Sequence, residues 1–386
     1  METKLVRIAE ISATSKHPIF TSVYHLINED MLKQCHKELD GNKAVGIDKV
    51  TKDEYGKNLD RNIKELVQRL KNKSFKLLPS LRVYIPKGNG KKRPLGIASY
   101  EDKIVQMAVK KILGAIYEPR FLNCMYGFRP NRGCHEAIKG VYQRISYGKI
   151  SYIVDADIKG FFDHIGSVMS PMLANIYMHH VLTLWFKLVV QREMQGECFL
   201  VNFADDFVAG FQYKSEAERY HKELKERMEK FGLELESSKS RLIEFGRFAE
   251  QNRRARGECK PETFDFLGFT FYCSKTRKGD FVPKVQTSRK KFEQKVRAYK
   301  NWIYDNRNRP MREIIKELNV KLIGHYRYYG VTWNFRKITT FLHRVQQFRF
   351  KAMNRIGCRR AYTWNGFVEM LKYYPLAKPK TYYCLY

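Results

Sequence analysis

Two adjacent acids, Asp205 and Asp206, sit between the apolar arms Leu200–Ala204 and Phe207–Phe211. Arms rich in Val, Phe and Leu, joined by two residues, predict a β-hairpin with both carboxylates at its tip. Asp tolerates the left-handed backbone of a tight turn. Adjacent carboxylates repel and are tolerable where water or a cation screens them. Seen alone, such a pair reads more readily as a solvated turn. A third acid, Asp157, ends the strand-like stretch 151–158. There Ile153, Asp155 and Asp157 share one face, and Tyr152, Val154, Ala156 and Ile158 the other. A buried, unpaired carboxylate is costly, so an acid ending a buried strand reads as functional.

The elements between these acids decide whether they meet. Ser170 and Pro171 mark a helix start, with Ser as cap. Ser215 caps a second helix, and Gly232 ends it. Leu233–Leu235 and Arg241–Phe245 supply strand material. Residues 151–245 therefore read strand, helix, two hairpin strands, helix, strand, the ferredoxin-like order. That order brings Asp157 and Asp205 to one edge of a sheet. Acids converging from neighbouring strands can hold two divalent ions about 3.5–4 Å apart, one at the attacking oxygen and one at the leaving oxygen. Hard oxygen donors favour Mg²⁺.

Other segments add cations. Leu81–Ile97 predicts a hairpin with a Gly-rich, basic turn. Lys87 and Arg93 on its arms suit a triphosphate, although a solvated surface turn reads equally well. Tyr126–Gly133 is an aromatic loop whose Arg129 and Arg132 suit either a nucleic-acid backbone or a structural role. The N-terminal region to about residue 80 reads as helical, with a glycine-punctuated loop at Gly41–Asp48. Ser99–Asp102 has the form of a capping box. A basic loop at 246–262 precedes an aromatic hairpin at Phe264–Phe271. From Ser288 the chain reads as helical and basic. Gly324–Gly330 there is dense in groups that stack on or contact RNA, and His325 reads as a packing or phosphate contact.

Composition points the same way. The 386 residues carry 72 Lys+Arg against 40 Asp+Glu, a formal charge of +32, and an excess that large indicates a polyanionic partner. Aromatics reach 14%, which serves base stacking. The eight cysteines form no C-x-x-C pair, which argues against a zinc ribbon or a disulfide framework and for reduced thiols in the cytoplasm. Neither a signal peptide nor a membrane span is expected.

Together these motifs resemble the reverse transcriptase–maturase proteins encoded in bacterial group II introns. Ile85-Pro86-Lys87, with Arg93-Pro94-Leu95-Gly96-Ile97, is similar to the family's basic hairpin. Tyr126–Gly133 matches its Tyr-Gly-Phe-Arg-Pro loop, and Asp157–Asp163 the strand carrying its first catalytic acid. Ser170–Tyr177 resembles its nucleotide-site helix, and Phe203-Ala204-Asp205-Asp206 its Tyr-Ala-Asp-Asp turn with one aromatic exchanged. The resemblance implies an α+β right-hand polymerase: fingers and a basic N-terminal region at 1–150, a ferredoxin-like palm at 151–283, and a helical thumb or X domain at 284–386. It implies an RNA-directed DNA polymerase that uses an RNA template, a DNA primer and dNTPs, binds intron RNA, and assists splicing and mobility. Asp157, Asp205 and Asp206 would hold Mg²⁺. Lys87 and Arg93 would grip the triphosphate. Phe161 or Phe162 would stack under the sugar and exclude the 2′-hydroxyl. Lys239 would lie near the pyrophosphate, and Leu267-Gly268-Phe269 would support the primer end.

Two departures stand out. No His/Cys cluster follows the X region, so no DNA endonuclease domain is expected. Between Ile165 and Gly166 the family places several tens of residues ending in Thr-Pro-Gln-Gly, of which the Gly alone is recognisable. A palm with a thinner back face and exposed apolar surface is the expected result. The alternatives are a splicing maturase with an impaired polymerase, or a reverse transcriptase of an antiviral defence or CRISPR system.

Overall fold

The structure is a computed structural model that describes residues 2–86, 92–161, 167–236, 240–355 and 362–386. The chain opens with helices α1 (Glu2–Thr14), α2 (Glu29–Glu38), α3 (Lys52–Gly56) and α4 (Leu59–Lys71). Polar caps set two of the starts. Asn28 accepts the Met31 N–H, and Thr51 closes a full capping box with Glu54. Ile63, Leu66, Val67 and Leu70 bury the inner stripe of α4 at helical spacing. Strands β1 (Leu81–Pro86) and β2 (Lys92–Ile97) form the expected antiparallel basic hairpin. Helix α5 (Tyr100–Tyr117) begins at Ser99, whose hydroxyl accepts the Asp102 N–H. Asp102 leaves the box open: its carboxylate instead accepts the Leu78 N–H and ties down the preceding loop. Ile104, Ala108 and Ile112 of α5 join Met31, Leu32 and the α4 stripe in one core. Helix α6 (Cys134–Tyr147) leads to the central sheet.

That sheet is built from β3 (Tyr152–Asp157), β4 (Cys198–Phe203), β5 (Asp206–Phe211) and β6 (Arg241–Glu244). Its spatial order is β4-β5-β3-β6, with every pair antiparallel. This is the ferredoxin-like arrangement that the sequence predicts. Alternation sorts the two faces. Val154, Ala156, Leu200, Phe207 and Ala209 bury against helices on one side. Ile153, Phe199, Val201, Val208 and Ile243 face α6 and the C-terminal third of the chain on the other.

The helix behind the sheet runs Ser170–Glu193. It opens as α7 (Ser170–Met178), loosens into π-helical segments at His179–Thr183 and Phe186–Val190, and closes on α8 (Gln191–Glu193). By length and composition it could cross a membrane, but half of its apolar window is buried, with Met178, Val181, Leu182 and Phe186 in the core. Helix α9 (Lys214–Lys230) shares this face through Tyr220 and Leu224 and ends at Gly232, whose φ of 69° suits glycine. Two expected caps shift. Ser215 lies inside the first turn of α9, with Tyr213 at the N-cap. Ser170 lies inside α7, with Met169 at the cap, and its hydroxyl accepts the Ser167 N–H.

Within the basic stretch 246–262 the structure has a helix, α10 (Ala249–Ala255), where the sequence predicts only loop. Its Arg253 lies 2.8 Å from Glu258 and its Arg254 pairs with Glu250, while Arg256 just past its end pairs with Glu244. A second antiparallel sheet follows: β7 (Thr263–Phe266), β8 (Phe269–Lys275) and β9 (Phe281–Thr287). Helices α11 (Arg289–Asp305), α12 (Met311–Tyr329), α13 (Phe335–Met353) and α14 (Trp364–Tyr373) complete the fold. Phe264, Phe269 and Phe271 join Tyr326, Phe341 and the front face of the central sheet in one continuous core. The seven cysteines among the described residues are all outside disulfides.

Candidate active site

The acidic turn has the expected two residues but sits one position earlier than the sequence predicts. Phe203 pairs with Asp206 as the last rung of the β4–β5 ladder, so the two-residue turn is Ala204–Asp205 and Asp206 already belongs to β5. Ala204, not an aspartate, takes the left-handed position, with φ of 61°. A positive φ at the first turn residue is the type II′ pattern. In alanine it costs roughly 1–2 kcal/mol, so neighbours must hold it.

Those neighbours come from the Tyr126–Gly133 loop. The backbone of Asn202 is bracketed by that segment: its N–H donates to Cys124 O at 2.8 Å, and its carbonyl accepts the Tyr126 N–H at 2.9 Å. The buried Asn202 amide donates to Ala204 O at 2.8 Å. Gly127 lies so close that a Cβ there would sit 2.6 Å from Ala204 N. The Asn175 amide on α7 donates to Gly127 O at 2.7 Å. Arg129 is buried and ion-paired with Glu118 at 2.7 Å, and it also donates to the carbonyls of Leu122 and Met125. Arg132 donates to Asn123 and lies over the Tyr126 ring. The loop is a brace for the hairpin, and both of its arginines are engaged within the protein.

The acids meet. Asp157 stands directly opposite Asp206 across the β3–β5 ladder. The Ile158 N–H donates to Asp205 O, which ties the end of β3 to the turn. Asp206 accepts a long hydrogen bond from the Leu267 N–H at 3.4 Å. Burial pushes its carboxyl well above the ordinary 3.8, and the charges of Asp155 and Asp157 raise it further. Asp155 shares this face one pleat back, and the sequence offers no sign that its charge reaches Asp206. Carboxylate oxygens alone, crowded and partly desolvated, fit a hard divalent cation. Among the described residues no three or more His, Cys, Asp or Glu side chains are gathered into a set that could by itself hold a metal ion. Mg²⁺ does not need one, because it keeps waters and shares one or two carboxylates with substrate phosphates.

In front of the acids lies a cleft of about 660 Å³, lined by Lys43, Arg93, Lys103, Ser170, Asp205 and Asp206 among others. Arg93 lines it from β2. Lys43 and Lys103 are additions. The Gly41–Asp48 loop is drawn to the cleft because the Lys103 ammonium donates to Ala44 O and the Tyr100 N–H to Asp48. Gly46 permits this: a Cβ there would sit 2.6 Å from Ala98 O. The glycine punctuation was the only linear signal for this contact. Phe161 packs partly buried against the core behind the sheet and is not among the cleft-lining residues. Lys87, Phe162 and Lys239 lie outside the described residues. His325 is a packing residue, 6% exposed and stacked 3.9 Å from Phe341, and burial lowers its imidazole to about 3. Tyr326 and Tyr329 beside it are also buried rather than presented for stacking.

Residues 85–166 and 164–271 match the reverse transcriptase (RNA-dependent DNA polymerase) family. The group II intron-encoded protein LtrA of Lactococcus lactis subsp. cremoris is 31% identical over 238 residues, covering 50% of this chain and 39% of its own length. An uncharacterized 91 kDa protein in the cob intron of Schizosaccharomyces pombe is 30% identical, over 40% of this chain and 25% of its own length. Protein YkfC of Escherichia coli K12 is 34% identical, over 39% of this chain and 40% of its own length. The chain thus spans well under two thirds of each of these relatives. With the acidic hairpin, its brace and the sheet order in place, residues 85–271 form a reverse transcriptase domain of the kind found in group II intron-encoded reverse transcriptase/maturase proteins.

Proposed function

We propose that this protein is the RNA-directed DNA polymerase of a group II intron, and that it also binds the intron RNA and assists splicing and mobility. The observation that carries the reading is the cross-strand pair Asp157–Asp206, with Asp206 and Asp205 lining a cleft that Lys43, Arg93 and Lys103 also line. In this reading Asp157, Asp205 and Asp206 hold Mg²⁺. When bound, such ions activate the attacking primer oxygen and relieve charge on the leaving pyrophosphate. Arg93, with Lys87, grips the triphosphate, and Lys43 and Lys103 add positive charge from the far wall. Phe161 or Phe162 excludes the 2′-hydroxyl, Lys239 approaches the pyrophosphate, and the Leu267–Gly268 turn supports the primer end. Fingers, palm and thumb would follow 1–150, 151–283 and 284–386. The test is extension of oligo(dT) on poly(rA) with Mg²⁺. We expect extension by the wild type and at least a hundredfold less by Asp157→Asn and Asp205→Asn, with RNA affinity retained, since each change removes a charge with little change of shape. A wild-type protein that extends no primer sinks the polymerase reading.

One observation favours a second reading, a splicing maturase with an impaired polymerase. The family match breaks in two at residues 164–166. The alignment to LtrA likewise runs over 238 residues while occupying only half of this 386-residue chain. Both support a missing segment between Ile165 and Gly166.

A further inference from the structure

The Leu267–Gly268 turn between β7 and β8 is strained where it meets the acids. Both residues are left-handed, with φ of 49° and 80°. For leucine this conformation is unfavourable and persists only where its surroundings over-determine it. Three hydrogen bonds do so here. Leu267 N–H donates to Asp206 Oδ2, the Tyr328 hydroxyl on α12 donates to Leu267 O at 2.9 Å, and Ser288 N–H donates to Gly268 O at 3.0 Å. Tyr328 is itself held from behind. His135, at the start of α6, donates from Nε2 to Tyr328 O at 2.8 Å. The His135 ring stacks on Tyr383 at 3.7 Å and 8°. Tyr383 lies in the C-terminal tail, which bridges to Val331 and donates its N–H to Gly330 O. The Tyr328 ring also stacks on Phe269, so its place does not depend on its hydroxyl.

The geometry points to Tyr328 as a positioning residue for Asp206: by holding the carbonyl of Leu267, it keeps the Leu267 N–H aimed at Oδ2 and fixes the carboxylate that faces Asp157. Tyr328 does so without touching the reacting atoms. The C-terminal helices and tail thereby set the geometry of the acidic centre as well as forming one side of the second groove. That groove, about 1010 Å³, is lined by Asp206, Leu267, Lys291, Lys295, Lys321 and Tyr328 among others. The inference rests on the polymerase reading for its kinetics, but not for its metal-binding readout.

The test compares wild type with Tyr328→Phe, which keeps the ring and removes the hydroxyl. Loss of one hydrogen bond that sets catalytic geometry is expected to lower kcat by about tenfold. The KM for dTTP and the affinity for poly(rA)/oligo(dT) should stay unchanged. Binding of Mn²⁺ by the nucleotide-free protein, followed by electron paramagnetic resonance, should weaken severalfold. If Tyr328→Phe melts too low to assay, His135→Phe loosens the same residue from its carbonyl side while keeping the stack on Tyr383, and the same pattern is expected. Unchanged kcat and unchanged Mn²⁺ affinity overturn the inference. So does a raised KM or weakened primer affinity at constant kcat, which would make Tyr328 a direct substrate contact. If the wild type extends no primer, the polymerase reading has failed, and the Mn²⁺ comparison still decides whether Tyr328 positions Asp206.

Discussion

Asp206 is the residue at which burial and charge act against each other. Its carboxyl is lifted well above 3.8 by desolvation and by Asp155, Asp157 and Asp205, while the hydrogen bond from the Leu267 N–H opposes them. A carboxyl whose folded value is raised binds its proton more tightly in the folded state than in the unfolded one. Stability of the metal-free protein should therefore fall as pH rises from about 4 through that raised value, by no more than about 1.4 kcal/mol per pH unit for this single group. Asp206→Asn removes the titrating group and should flatten the slope while abolishing extension. Thermal melts in EDTA across pH 4–8 measure this. Parallel slopes for wild type and Asp206→Asn would place the pH dependence elsewhere.

At the scale of elements, the hairpin is only as well placed as its brace. Ala204 keeps its unfavourable backbone because Asn202 holds its carbonyl and Gly127 lets the brace approach its amide. Gly127→Ala puts a methyl 2.6 Å from Ala204 N, with backbone rather than a flexible side chain to displace. We expect the turn to shift and extension to fall on the order of 10²-fold, since displacements near 1 Å cost about that much. Mg²⁺-independent RNA binding should stay within twofold. Full extension by Gly127→Ala would show that the hairpin does not depend on this contact. The brace also shows where legibility ended. The order of sheet strands could be read from alternation in 151–158 and 200–211, because each face of a half-buried strand declares itself in side-chain type. The partners of Arg129 could not: they are the Glu118 carboxylate and the backbone carbonyls of Glu118, Leu122 and Met125, and a carbonyl leaves no trace in composition. An arginine among aromatics reads the same whether it awaits a phosphate or is already satisfied. The left-handed residue was misassigned for a similar reason. Turn propensity favours aspartate over alanine, but Phe203 and Asp206 close the ladder and leave Ala204 in that position. Helix α10 was hidden by its own charge, because its arginines find partners in Glu250 and Glu258 rather than an apolar stripe.

Across the whole molecule, charge and missing mass lead to two further expectations. A net charge of +32 should make binding to structured RNA fall linearly in log affinity with log salt, and a flat titration would rule out phosphate contacts as the driving term. The second expectation concerns the segment proposed above to be missing between Ile165 and Gly166. The described residues after this junction bound the cleft directly: Ser167 and Val168 line it, and Val168 N–H donates to Gln106 on α5. The long helix Ser170–Glu193 leaves Leu173, Tyr177, Leu188 and Val189 exposed. Yet the sheet beside it is complete, and Asp157 still faces Asp206 across the ladder. Metal binding and nucleotide positioning should therefore separate. Inserting a family-typical segment between Ile165 and Gly166 should raise the extension rate on poly(rA)/oligo(dT) by at least tenfold, mainly through a lower KM for dTTP, because the added wall restricts base and sugar within the cleft. Mn²⁺ affinity and intron RNA affinity should not change, since the acids and the basic C-terminal helices are already in place. Equal extension by both forms would mean that the compact palm is a complete polymerase and that Ser167, Val168 and Ser170 suffice for that wall. Splicing support with negligible extension by the natural chain, relieved by the insertion, would identify a maturase whose polymerase was lost through this one segment while its RNA-binding surfaces were kept.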